Sequence, residues 1–311
     1  MLKNKLLIND LNVSYFLHNK CINAVDNVSL ELKSCESLGI AGESGCGKST
    51  LVSAIMRNIS PPGKITRGNI FLDGEEITKL SDKEFDSKIR WKRISIIFQG
   101  ALNSLDPVYP IKSQIKDVYE THGQLYDNNK VITILENVGL EKSVLQKYPH
   151  ELSGGMKQRV VIALALLLEP DIIIADEPTT ALDVLVQAQI IKVLKKLKEK
   201  GISIILISHD LALISALVDK IGIMFAGKII EFNTTKEIIF APKNEYTKNL
   251  ISSTPQLREK VQEKKFKVNA KNLKDFWLKI LTLNFCYTNF DIDKENQIKQ
   301  LVDNSGSINH S

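Results

Sequence analysis

The nine residues GESGCGKST, Gly42 to Thr50, constrain the fold of this chain more than any other stretch. They fit the spacing G-x-x-x-x-G-K-[ST] at Gly42, Gly47, Lys48 and Ser49, between an apolar run, SLGIA, and an apolar helix start, LVSAIM. Strand, glycine loop and helix form the context a phosphate-binding loop requires. Its glycines let backbone amides curl around the β and γ oxygens, Lys48 neutralises their charge, and the Ser49 hydroxyl can bind Mg²⁺. A flexible turn would give no reason for lysine and serine to open the next helix.

The run DIIIADEP supplies a second half to such a site. An apolar strand delivers Asp176 at its C-terminal end, where α/β sheets place ligands, and the adjacent Glu177 points differently. Asp176 can hold Mg²⁺ directly or through water, and Glu177 can polarise an attacking water. Two neighbouring acids alone read as a solvated turn; paired with Gly42–Thr50 they read as a nucleotide site.

Around these motifs the apolar periodicity alternates. LLINDLNVSYF, VSLEL and SLGIA read as short strands, GNIFLDG as one arm of a peripheral antiparallel sheet, and ISIIFQ as a further strand. Residues 111 to 165 turn mostly helical, with a break near Pro149. After Pro170 the pattern gives a buried strand and a helix with apolar positions at Ile190, Ile191, Leu194 and Leu197. A strand, GISIILISHD, follows, then a hairpin around Ala226 and Gly227 in IGIMFAGKIIEF. The alternation argues for an open α/β sheet, with residues 256–311 as a polar appendage.

Composition narrows the class. The four cysteines, Cys21, Cys35, Cys46 and Cys286, show neither metal-ligand spacing nor a compact disulfide framework. The formal charge of +5 comes mostly from dispersed lysine, and no arginine block with interleaved aromatics suggests a nucleic-acid face. The longest apolar runs, VVIALALLL among them, fall short of the roughly 20 residues a spanning helix needs. The stretch MLKNKLLINDLNVSYF lacks the long apolar run and small-residue cleavage site of a secretory signal. The expectation is a chain that does not cross a membrane itself but can dock on a membrane protein from the cytoplasm.

In order along the chain, Gly42 to Thr50, Gln99, Leu152 to Gly155, Asp176 and Glu177, Asp183 and His209 resemble the motif series of ATP-binding cassette transporter ATPases. The resemblance covers residues 5 to about 255. It implies an α/β fold: a P-loop nucleoside triphosphate hydrolase core with a peripheral antiparallel β subdomain and a helical subdomain inserted at about 100–165, together forming a domain 1–255. ATP and Mg²⁺ are the implied cofactors, with Ser44, Gly45, Cys46, Gly47, Lys48, Ser49 and Thr50 in the loop after Gly42. By the same resemblance Ser153, Gly154 and Gly155 cap the γ-phosphate held by the opposite cassette. Gln99 senses Mg²⁺ and the attacking water, His209 orders the γ-phosphate and Glu177, and Asp183 couples the two sites of the dimer. Tyr15 resembles the aromatic that stacks on adenine. Cys46, a small residue tolerated in a tight loop, reads more plainly that way than as a redox switch.

Finer features, NSLDP at 103–107, SGGMKQRV at 153–160, ADEPTTALDV at 175–184 and PKNEYTKNLISSTP at 242–255, resemble the D-type ATPases of dipeptide and oligopeptide importers. This implies two integral-membrane permease subunits, a second and unlike cassette, and an extracytoplasmic solute-binding protein as partners. It places the chain at the cytoplasmic face of the membrane. Related systems carry nickel or oligosaccharides, and a soluble, non-transport cassette is the remaining alternative. Residues 256–311 contain only Cys286 and no proline, unlike the proline-rich, cysteine-containing tails of many such ATPases, so no iron-sulfur cluster is expected there.

Overall fold

The computed structural model describes residues 4–17, 20–98, 100, 104–180, 182–254 and 257, all within the unit Met1–Arg258. Gln99 lies outside the described residues, as does the expected appendage 256–311 apart from Leu257.

Of the first five strands, β1 (Asn4–Leu17), β2 (Lys20–Lys33), β4 (Gly63–Leu72) and β5 (Glu75–Glu76) form one antiparallel sheet in the order β2-β1-β4-β5, while β3 (Ser37–Ala41) enters a second sheet. The first two strands are longer than the short strands expected, and VSLEL is only the C-terminal part of β2. The polar CINAVDN stretch is held by its partner: Tyr15 pairs with Ile22, and the Ser14 hydroxyl donates to Asn23 Oδ1 at 2.8 Å. Pairing thus extends a strand where the side-chain alternation is weak.

The second sheet adds β6 (Ile94–Ile97), β7 (Ile172–Asp176), β8 (Ser203–Ser208), β9 (Lys220–Phe225) and β10 (Lys228–Thr234), in the order β10-β9-β3-β8-β7-β6. All neighbours are parallel except β9 and β10. Strands β3, β6, β7 and β8 are buried at every residue, which is why they read as unbroken apolar runs rather than alternating ones. The β9–β10 turn, Ala226 and Gly227, has φ of 46° and 82°, the positive pair that matches a two-residue hairpin to strand twist. Register aligns the carboxyl ends: Ala41 sits opposite Ser208 and Ile223, Asp176 opposite Ile207, and Ile97 opposite Ala175.

Helix α1 (Lys48–Ile55) packs Leu51, Val52, Ala54 and Ile55 into a core shared by both sheets, with Ile8, Leu30, Ile40, Ile70 and Ile207. After β5 comes α2 (Asp82–Lys88), started by a reciprocal Ser81–Glu84 capping box. Between β6 and β7 the chain forms α3 (Ile111–Thr121), α4 (Asn128–Asn137), 3₁₀ turns at Lys142–Gln146 and Pro149–Glu151, and α5 (Gly154–Leu166). Helix α6 (Val184–Glu199) buries Ile190, Val193, Leu194 and Leu197. Val193 takes the core position expected of Ile191, which is only half-buried, because i, i+3, i+4 and i+7 from Ile190 define the stripe. Helices α7 (Leu211–Leu217), α8 (Thr235–Phe240) and α9 (Glu245–Ser252) follow. Among the described residues no helix is long and apolar enough to cross a membrane.

Candidate active site

The in-register ends of β3, β7 and β8 bring three motifs to one edge. The first is the loop from Gly42 to Gly47, which runs straight from β3 into α1. Helix α1 has no side-chain cap and no acid in its first turn, and its N-cap, Gly47, has φ 110°. Its first N–H groups therefore face the loop with their partial positive charge available. A Cβ on Gly47 would lie 2.2 Å from the Ala24 carbonyl, and one on Gly42 would lie 2.2 Å from the Met224 carbonyl, so the loop is threaded between β2 and β9. The hairpin turn completes this wall, with Gly227 N donating to the Cys46 carbonyl at 2.9 Å.

Lys48 is buried, 6% exposed, and folds back over the loop. Its Nζ donates to the carbonyls of Gly42 at 2.8 Å and Glu43 at 2.7 Å, and lies 3.7 Å from Cys46 Sγ. The ammonium thus rests in the concavity that the loop forms. Glu43, Ser44, Gly45 and Ser49 are exposed, Thr50 is half-buried, and Cys46 is buried. Buried beside Lys48, the Cys46 thiol packs with the core.

Asp176, at the end of β7, is 6% exposed, and its Oδ1 is buried without a hydrogen-bond partner. Burial pushes its carboxyl pKa up, and the Glu177 charge adds to this, against the lowering pull of the Ser49 hydroxyl and Lys48. A buried carboxylate oxygen with no donor is costly unless a cation or proton meets it. Beside it a cleft of about 190 Å³ is lined by Ser49, Ser53, Asn58, Ile96, Phe98 and Asp176, among others. Phe98 is 51% exposed at that rim. The orphaned oxygen and the neighbouring hydroxyl of Ser49 together fit a divalent cation with hard oxygen preference.

Glu177 adopts φ 47°, which turns its side chain away from that of Asp176. Its backbone N donates to the Ile207 carbonyl at 2.9 Å, fixing the turn to β8. Its Oε1 lies 3.0 Å from His209 Nδ1, and its Oε2 accepts from the Thr180 hydroxyl at 2.9 Å. Burial raises the Glu177 pKa, but hydrogen bonds from His209 and Thr180, with the charges of His209 and Lys48, outweigh it and leave the carboxyl lowered. Glu177 is thus kept ionised and Asp176 is pushed toward protonation, although they are neighbours in sequence. His209 follows β8 and is exposed, its side chain 64% accessible.

The other expected residues sit on different supports. Ser153 caps α5, its hydroxyl accepting from Met156 N at 3.3 Å. Ser153 and Gly154 are exposed, whereas Gly155 is buried against α6, where a Cβ would come within 2.7 Å of Val186 Cγ1. Asp183 caps α6 through Val186 N at 2.9 Å, and the Gln187 amide donates to the carbonyls of Leu182 and Thr179. Ser153–Gly155 and Asp183 thus share the α5–α6 junction, while the phosphate loop is walled by β2 and the β9–β10 turn. Tyr15 lies half-buried on β1, its ring over Gly63, with Phe16 exposed beneath Lys64 Nζ at 4.7 Å.

Sequence reasoning missed Thr180, Met224 and Gly227. Thr180 carried a local signal, a hydroxyl three residues past Glu177. The other two touch the loop only through the fold.

The sequence profile described as ABC transporter matches residues 25–180. The chain is 41% identical over 259 residues to the dipeptide transport ATP-binding protein DppD of Bacillus subtilis (strain 168), covering 81% of this chain and 77% of that protein. It is 42% identical over 266 residues to the oligopeptide transport ATP-binding protein OppD of the same organism, covering 83% and 74%. Among solved structures it is similar to a dimeric ATP-binding cassette in a post-hydrolysis state bound to ADP and Pi, with TM-score 0.65, 29% identity, and 74% and 98% of the two chains covered. It is also similar to cbiO1 from Clostridium perfringens, part of the ABC transporter complex cbiONQ, with TM-score 0.66, 27% identity, and 76% and 90% covered. A phosphate loop, a buried carboxylate and an ionised glutamate at one sheet edge, carried by a chain with these relatives, leave one assignment: it belongs to the ABC transporter family, as an ATP-binding cassette ATPase.

Proposed function

We propose that this chain is the ATP-hydrolysing subunit of an importer for dipeptides or oligopeptides, working at the cytoplasmic face of the membrane. The observation that carries the reading is the identity with the peptide-transport relatives over most of both chains, joined to an intact set of charged groups at the sheet edge.

ATP binds with its phosphates in the loop Gly42–Thr50, where Lys48 exchanges the Gly42 and Glu43 carbonyls for phosphate oxygens. Tyr15 supports the adenine. Ser49 and Asp176, with Gln99, would hold Mg²⁺, which would supply neutralisation of the phosphate charge when bound. Glu177, ionised and steered by His209 and Thr180, accepts a proton from the attacking water. Ser153, Gly154 and Gly155 close over the γ-phosphate held by a second cassette, and Asp183 communicates between the two sites. ATP thereby favours a closed pair of cassettes and hydrolysis releases it, a population shift that two permease subunits can convert into alternating access. The second cassette is an unlike chain, and an extracytoplasmic solute-binding protein delivers the peptide.

Affinity isolation from gently solubilised native membranes tests this. The expected result is co-purification of two permease subunits, an unlike cassette and a solute-binding protein, with ATPase activity stimulated by peptide. Recovery with ribosomal or DNA-processing proteins and no permease would overturn it.

A further inference from the structure

Helix α6 buries Ile190, Leu194 and Leu197 along one face, and the residue that comes next on that face toward the N-terminus is Gln187, a half-buried amide where the stripe would continue as apolar. A polar side chain placed there needs partners. Helical side chains lean toward the N-terminus, and Gln187 reaches back past the Asp183 cap. Its Nε2 donates to the Leu182 carbonyl at 3.1 Å and to the Thr179 carbonyl at 3.3 Å. One carboxamide thus holds two carbonyls of the turn between β7 and α6. The turn also closes on itself, with Leu182 N donating to the Thr179 carbonyl at 3.3 Å and Thr180 N to the Glu177 carbonyl at 3.2 Å.

What this turn presents to the site is Thr180. Its hydroxyl donates to Glu177 Oε2 at 2.9 Å while His209 Nδ1 lies 3.0 Å from Oε1, so the carboxylate is gripped at both oxygens. The two grips have different supports. His209 follows β8, the neighbour of β7 in the sheet, whereas Thr180 is carried by a turn fastened to α6. We propose that Gln187 is a positioning residue for hydrolysis: by holding the turn Thr179–Leu182 against α6 it keeps the Thr180 hydroxyl on Glu177, and so fixes the direction in which that carboxylate meets the attacking water. This deepens the reading of Glu177 as the group that takes a proton from water and rests on it. The same end of α6 bears Asp183 and sets Val186 beside Gly155. A shift of that helix when two cassettes pair would therefore reach Glu177 through Gln187 and Thr180.

The test compares steady-state ATP hydrolysis by the full chain, assembled with its unlike cassette, as wild type, Gln187→Met, Thr180→Val, Thr180→Ser, the double variant Q187M/T180V, and K195A on the exposed face of α6. Methionine keeps the length of glutamine and cannot donate. Q187M is expected to lower kcat about tenfold with KM within about twofold of wild type, and to move Tm by no more than about 4 °C. T180V should show the same split, T180S should return kcat to within about twofold of wild type, and K195A should match the wild type. Because Gln187 acts through Thr180, Q187M/T180V should stay within about twofold of T180V alone. A wild-type kcat in Q187M, a loss confined to KM, or a double variant slowed by the product of the two single effects would overturn the proposal. Wild-type hydrolysis in E177Q would instead sink the reading of Glu177 on which it rests.

Discussion

Asp176 and Glu177 show how far one residue's environment can separate two identical functional groups. Burial raises the Asp176 pKa, so its ionised form destabilises the folded chain; that penalty is fully present above the raised pKa and fades as pH falls through it toward the ordinary 3.8. D176N should therefore melt higher than wild type at pH 7 without nucleotide, by about 2–8 °C for a gain of about 1–2 kcal/mol. It should also lose hydrolysis. The difference in melting temperature should close in acid, and scanning calorimetry from pH 7 to about 4 checks the sign. Glu177 has the opposite sign, because a lowered carboxyl adds stability above 4.5 that is lost as pH falls through its folded pKa. An equal melting temperature for D176N and wild type would mean that Asp176 is already relieved.

At the scale of elements, the α5–α6 junction carries two of the expected motifs on helix N-termini. Ser153 and Asp183 act there as caps, so both have a structural role before any partner arrives. Gly155 sets the approach of the helices, since a methyl group would overlap Val186. G155A should destabilise the chain by about 1–3 kcal/mol through overpacking. The added variant V186A should recover part of that loss, because it removes the two methyl carbons facing the new Cβ. Urea melts of the single and double variants measure the coupling. Lys5 and Arg93 make a comparable junction between the sheets. Lys5 Nζ lies 2.8 Å from Asp73 and 3.2 Å from Asp171, while Arg93 reaches both acids. Four half-buried charges thus tie the β4–β5 turn to the segment that enters β7.

For the whole molecule, the two halves of the proposed site sit on separate supports: the phosphate loop on β3 and α1, the Ser153–Gly155 cap on α5. A second copy or an unlike cassette is the economical way to unite them. E177Q, which keeps the size of the glutamate but removes its charge, should bind ATP, hydrolyse it at least about 100-fold more slowly, and accumulate as a two-cassette species. Adding S153R should abolish that species while leaving nucleotide binding by the single cassette intact. Sedimentation of the chain together with its unlike cassette, with ATP and with ADP, separates these outcomes, and unassociated cassettes under both conditions would refute the composite site.

Much of this was legible in the residues. GESGCGKST, DIIIADEP and the apolar runs around them carry their meaning locally, because a fully buried parallel strand must be apolar throughout and a phosphate loop must have glycine where its backbone is crowded. Alternation failed where pairing took over, as in the N-terminal half of β2, and it chose Ile191 over Val193 because a run of apolar residues on a helix does not reveal its stripe edge. What the sequence by itself determined was chemical: which groups can meet phosphate, which acids are present, and that the sheet is α/β. Tertiary structure alone decided that Asp176 is orphaned while Glu177 is held ionised, and that Met224 and Gly227 wall the loop. Those properties depend on burial and on contacts between distant segments, and neither is written in any local stretch of chain.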